Sequence, residues 1–162
     1  MSARRESEPV KHTTTVERKS DREYVVTRTF DSPARLVYEA WTKPELLKLW
    51  WTPKSMNMSF LSCEADVRVG GKYRFEFGLN GQTMTFFGKY LEVVPNERIV
   101  WTNEEGEGEA AITTVTFEEK DGKTRLVFHE IHPTKEATDE AIGMGEAMRE
   151  TLGQLDELLI TR

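Results

Sequence analysis

Ser32-Pro33-Ala34-Arg35-Leu36-Val37-Tyr38-Glu39-Ala40-Trp41-Thr42-Lys43-Pro44-Glu45-Leu46-Leu47-Lys48-Leu49-Trp50-Trp51 is the passage on which the architecture of this chain turns. Asp31 or Ser32 can cap a helix whose first turn takes Pro33, where a missing N–H costs nothing. Leu36, Val37, Ala40 and Trp41 recur at helical spacing until Lys43-Pro44 interrupts, and a second short helix follows through Trp50. Two adjacent indoles cannot both fit one face of so short a helix. The pair therefore marks an edge where helix meets an apolar opening.

On its N-terminal side this unit is preceded by Tyr24-Val25-Val26-Thr27-Arg28-Thr29-Phe30, a β-branched and aromatic run that reads as a strand. On its C-terminal side, strand and turn alternate for about seventy residues, with turn signals at Gly70-Gly71, Asn80-Gly81, Pro95-Asn96 and Asp121-Gly122. These divide the region into strands at 56–69, 72–79, 82–94, 98–103, 110–120 and 123–131, an antiparallel meander. Tyr73, Phe75 and Phe77 alternate with Lys72, Arg74 and Glu76, so one face is apolar and the other wet. Residues 141–160 form a long final helix, with Met148, Leu152, Leu155 and Leu159 on its stripe. Gly143, Gly145 and Gly153 weaken its intrinsic helicity, and its first turns are expected to be bent or mobile.

A chain of 162 residues with 38% hydrophobic and 31% charged residues fits one globular domain. Residues 1–22, polar and without an aromatic side chain, read as a disordered tail before a domain at 23–162. The net charge of -6 argues against nucleic acid as a partner, because phosphate binding needs clustered Lys and Arg. The first 22 residues carry more basic than acidic side chains, so the folded part is the more acidic one. No apolar run is long enough to span a bilayer, and no membrane partner is expected. A single cysteine, Cys63, excludes an internal disulfide, and the N-terminus lacks the apolar core of a secretory signal, so a cytoplasmic location is expected.

One strand, two short helices, six antiparallel strands and a long helix make an α+β order in which a twisted sheet can wrap the last helix. The matching residues are Phe30-Asp31-Ser32-Pro33, Val37-Tyr38-Glu39-Ala40-Trp41-Thr42, Pro44, Leu49-Trp50-Trp51 and Pro53. They continue with Asp66-Val67-Arg68-Val69-Gly70-Gly71, the run from Gly88 to Thr102, and Leu152 to Leu159. In these the chain resembles the START-like, birch-pollen-allergen-like (SRPBCC) superfamily. Within it, the chain is similar to proteins related to the activator of heat-shock-protein-90 ATPase. The resemblance implies a helix-grip fold, a strongly curved antiparallel sheet around a long C-terminal helix, and covers residues 23–160. It also departs at one point: relatives often carry a Gly-Trp pair near the start of the last helix, where this chain has Gly145-Glu146-Ala147-Met148, leaving a looser wall.

The resemblance implies binding of a small hydrophobic ligand in an internal cavity between sheet and helix, with burial contributing about 25 cal/mol per Å² of apolar surface. It equally allows a cyclase- or hydrolase-type enzyme using the same cavity, or a chaperone-cofactor or stress-response module with a chaperone as partner. Tyr73, Phe75, Phe86, Trp101 and Phe128 are expected to face inward as core or cavity wall, with Met144 and Met148 on the helix side. Trp50 is assigned to the wall, and Trp51 to an ordinary core or surface position. His129 is expected to face the cavity and, with Tyr90 or Thr113, to orient a ligand.

His129 and His132 complete no recognisable metal set. Because His129 and Glu130 are strand neighbours on opposite faces, they cannot act on one atom. No nucleophile elbow, Walker loop or zinc signature occurs, and no cofactor is implied. The run Glu104-Glu105-Gly106-Glu107-Gly108-Glu109 reads as a solvated hairpin loop able to steer a basic partner. The partner expected is a small apolar or amphipathic molecule, bound by a monomer or homodimer.

Overall fold

A computed structural model describes residues 13–105 and 108–161. It contains strands β1 (Thr15–Ser20), β2 (Glu23–Phe30), β3 (Ser59–Ala65), β4 (Lys72–Leu79), β5 (Gln82–Val94), β6 (Arg98–Asn103), β7 (Ala111–Lys120) and β8 (Lys123–Ile131). The helices are α1 (Ala34–Thr42), α2 (Pro44–Trp50) and α3 (Lys135–Ile160). All eight strands form one antiparallel sheet in the order β1-β2-β8-β7-β6-β5-β4-β3. This is the helix-grip α+β arrangement. The six consecutive strands β3 to β8 are the expected meander, and the chain closes it by laying β2 beside β8.

Two hairpins owe their sharpness to residues that tolerate positive φ. Asn80 and Gly81 stand at 53° and 78°, and Asp121 and Gly122 at 56° and 80°, the geometry that matches a tight turn to the twist of its strands. Strand β5, which spans 13 residues, joins the two halves of the sheet. Its first half pairs with β4 and its second half with β6, with an irregularity between Tyr90 and Glu92. At Gly88 a Cβ would lie 2.0 Å from the Thr102 carbonyl oxygen, so the fold there admits only glycine.

The domain begins earlier than the sequence implied. Thr15–Ser20 is an edge strand paired with β2 from Thr15↔Thr27 to Ser20↔Glu23, so the tail expected at 1–22 does not extend over it; residues 1–12 lie outside the described residues. Three other boundaries are corrected. The strand expected at 56–69 is shortened to Ser59–Ala65, because Lys54–Met56 winds as a 3-10 turn and Asp66 to Gly71 forms a turn closed by Gly71 N–H donating to Arg68 O. Helix α3 starts at Lys135, where Thr134 accepts from the Ala137 N–H at 3.0 Å, and it runs unbroken past its glycines. Neither Asp31 nor Ser32 caps α1; the Ala34 N–H is met by Glu119 Oε1 at 2.8 Å, a cap delivered from β7.

The core lies between the concave sheet and the helices. Val26, Phe30, Val37, Ile99, Val115, Leu126, Leu152 and Leu155 are almost completely buried in it. The second half of α3 is pinned hard. Arg28 bridges to Asp156 at 3.0 Å, and Gln154 Nε2 donates to the carbonyls of Trp50 and Thr52 while its Oε1 accepts from the Lys54 N–H. These bonds satisfy the carbonyls at the end of α2 and fix the segment leading to β3.

Candidate functional site

Along α3 the cavity-lining stripe starts with Ala137, Ala141 and Met148 before the helix reaches buried Leu155 and Leu159, and Met144, 55% exposed, borders the opening. Between this stripe and the strands lies a cavity of about 540 Å³. This is within the range of small-molecule sites. Tyr73, Phe75 and Phe77 of β4 form one wall, since alternation places all three on the concave face. Phe86, Trp101 and Phe128 extend it across β5, β6 and β8. Trp41 and Trp51 close the side toward the short helices, stacked edge to face with ring centroids 5.4 Å apart.

One end of the cavity is polar, and Glu130 organises it. On β8 this residue stands directly opposite Tyr24 of β2 and Thr113 of β7. Both neighbours donate to it: Tyr24 Oη to Oε1 at 2.9 Å and Thr113 Oγ1 to Oε2 at 2.8 Å. His132 Nε2 lies 2.9 Å from Oε1, and its ring stacks on Tyr24. Asn103 Nδ2 donates to Thr113 Oγ1, and Tyr73 Oη donates to the Thr102 carbonyl at 2.7 Å. Burial first, then the charge of Glu130, holds the Tyr24 hydroxyl far above its ordinary pKa, so it remains a donor. Burial likewise raises Tyr73 and Tyr90.

At the rim, Glu105 and Glu109 come from the β6–β7 loop and Glu140 from the first turns of α3, all three exposed. Glu105 has its carboxyl partly withdrawn from water although the residue as a whole is exposed. Desolvation raises its pKa, and the charges of Glu130 and Glu104 push the same way against a backbone hydrogen bond and His132. Four carboxylates thus line this cavity, and no Lys or Arg does among the described residues. Trp41, 4% exposed, has an indole N–H without a hydrogen-bond partner. Among the described residues no group of three His, Cys, Asp or Glu side chains is arranged to hold a metal ion.

The structure brings Tyr73, Phe75, Phe86, Trp101, Phe128, Met144 and Met148 together around this space, and Tyr90 joins them. Two expected positions are corrected. Trp50 does not line the cavity; it is a core residue, 1% exposed, whose Nε1 donates to the Ala40 carbonyl at 3.0 Å, and its neighbour Trp51 takes the wall. His129 points to the outer face and meets Glu23 Oε1 at 2.9 Å. The reason is strand parity: with Phe128 inward, His129 must face outward and Glu130 inward. Thr113 reaches the site only through Glu130 and Asn103. Sequence reasoning missed Glu130, His132, Tyr24, Trp41 and Trp51; the parity of Phe128 was the signal that could have found Glu130.

The family profile described as activator of Hsp90 ATPase homolog 1-like protein matches residues 31–160. No curated protein matches the chain. Solved structures do. A Nitrosomonas europaea protein shares 27% identity at TM-score 0.78, covering 88% of this chain and 97% of its own. A Staphylococcus epidermidis protein shares 28% identity at TM-score 0.76, covering 91% and 94%. A Rhodobacter sphaeroides protein, 22% identical, has TM-score 0.82 over 91% and 98% and attests the fold alone. The chain belongs to the activator of Hsp90 ATPase homolog 1-like family, in the START-like superfamily.

Proposed function

From that membership we propose that the protein binds a small hydrophobic ligand in the cavity between the sheet and α3, as a cytoplasmic binding protein. The observation that carries the reading is the space itself. About 540 Å³ lies beneath aromatic rings that a plain core would have interlocked. A ligand burying ~200 Å² of apolar surface there would gain about 5 kcal/mol by area before the costs of association. Glu130 and its donors, fixed by cross-strand register, would orient its polar end.

Two measurements test this. Native mass spectrometry of freshly purified protein should retain a small molecule or accept one on titration. The neutral dye N-phenyl-1-naphthylamine should gain fluorescence with the wild-type protein and lose that gain in Ala141→Leu, which fills the cavity from the helix side. Dye binding unchanged in a folded Ala141→Leu protein would refute the cavity reading.

The Glu130–His132 pair supports a second reading, a cyclase- or hydrolase-type enzyme, because it puts titratable groups inside an apolar chamber. That reading requires Glu130→Gln to abolish turnover of any substrate found while binding persists. A chaperone-cofactor role, the other partner class the family suggests, would show as capture of a chaperone by Ala141→Leu as readily as by the wild type.

A further inference from the structure

The carboxylates at the cavity outnumber its basic groups. Glu130 sits at its polar end, Glu105, Glu109 and Glu140 stand at its rim, no Lys or Arg among the described residues lines the cavity, and the one basic side chain in the lining, His132, is already engaged with Glu130. A site of this kind repels a carboxylate, sulfonate or phosphate head and attracts a donor-rich cation. We infer that the ligand is a hydrophobic amine: an apolar, ring-sized body bearing a basic nitrogen, with its ammonium against Glu130 and the rim carboxylates. This rests on the cavity reading above and deepens it by naming the ligand class.

Three further features fit that class. Glu130 already accepts from Tyr24 and Thr113 and meets His132. A carboxylate offers about four acceptor positions, so one remains for an N–H on Oε2, the oxygen that only Thr113 uses. Second, the repulsion that Glu105 feels from Glu130 and Glu104 adds to its desolvation, and a ligand cation between these groups would relieve it. Third, much of the enclosure is aromatic, and rings such as Trp51, Tyr73 and Trp101 can attract a cation where an anionic head would gain nothing. The wall also holds the unpartnered Trp41 N–H, a donor that a ring face or acceptor on a seated molecule would meet. Glu105 and Glu109, two of the acidic residues that the sequence marks as able to steer a basic partner, thereby acquire a destination, the rim of this chamber.

Three probes that share one biphenyl-propyl body and differ only in head group decide the matter: a primary ammonium, a hydroxyl and a carboxylate. Binding is followed by displacement of N-phenyl-1-naphthylamine and by quenching of the wall tryptophans. The ammonium probe should bind at least ~10-fold more tightly than the hydroxyl probe, and the carboxylate probe most weakly, as expected for a head group in a shielded field. Glu130→Gln, and independently Glu105→Gln at the exposed rim, where folding is not at stake, should each shrink the lead of the ammonium over the hydroxyl several-fold. If the carboxylate binds as well as the ammonium, or the lead survives both substitutions, the amine inference falls and the cavity reading stands. An ammonium probe that fails where the dye binds overturns it too. If neither the dye nor any probe binds, the cavity reading itself has failed.

Discussion

Between Ala137 and Met148 the cavity side of α3 offers alanines and Met148 to an open space, with Met144 at its exposed edge, whereas from Leu152 to Leu159 the helix offers leucines to packed rings. The second half is also tied down by polar bonds at Gln154, Asp156 and Glu150, the last accepting from the side chain and backbone of Ser55. The first half has a tie of its own, Arg18 to Asp139 at 2.6 Å, but its cavity-lining side chains make none among the described residues, and Gly145 lets the ring of Tyr24 come close. One helix therefore does two jobs, through side-chain volume and through where its polar ties fall. Its C-terminal half supplies burial, and its N-terminal half withholds it.

The sharpest way to break this division is to truncate one residue on each side. Leu155→Ala should cost about 2–5 kcal/mol in urea unfolding, the range for deleting a fully buried leucine. Met148→Ala, which already borders the cavity, should cost clearly less while changing dye affinity. Equal losses would mean that the two halves are packed alike.

The next test uses the glycines of the same helix. Nothing lies within 4 Å of a Cβ added at Gly143 or Gly153, so alanine there should raise stability by up to about 1 kcal/mol. At Gly145 the added Cβ would come 2.6 Å from Tyr24 Cε2. Gly145→Ala should therefore destabilise, by roughly 1–3 kcal/mol as for an overpacked core site, and weaken the hold of Tyr24 on Glu130. A Gly145→Ala protein as stable as Gly143→Ala would show that the ring yields freely.

Much of this contrast could be read in the sequence, and the failures have physical causes. Strands from Lys72 onward were legible because alternation and the Asn-Gly and Asp-Gly turns agree on register. β1 was not legible: five of its six residues are exposed, and it is held by backbone pairing at a sheet edge, which leaves no pattern of apolar side chains to find. The early turns of α3 were missed because polar side chains cover them, although the Thr134 cap marked their start. For the site, the aromatic wall followed from strand alternation. Trp50 and Trp51 could not be told apart, since the end of a seven-residue helix has no periodicity to fix which indole points where. His129 and Glu130 were exchanged, although the parity of Phe128 settles which of them faces inward.

The smallest effects come from two carboxylates on opposite sides of the divide, and pH separates them. In the locked half, hydrogen bonds from the Ser55 side chain and then its backbone hold Glu150 below its ordinary 4.5. A carboxyl depressed by folding adds stability that is complete above 4.5 and fades as pH falls through its lowered value. Facing the cavity, Glu105 is raised above 4.5 chiefly by desolvation, so its charged form weakens the fold once pH climbs through that raised value. At about pH 7, Glu150→Gln should therefore lower the unfolding midpoint slightly and Glu105→Gln should raise it slightly, both effects being small at these solvent-screened positions. Near pH 3 the Glu105 difference should vanish, because the wild-type carboxyl is then protonated, and the Glu150 difference should have begun to shrink. If Glu105→Gln destabilises at neutral pH, the rim carboxylates are supporting the fold, and the crowding of like charge beside an open chamber is not what distinguishes the first half of α3 from the second.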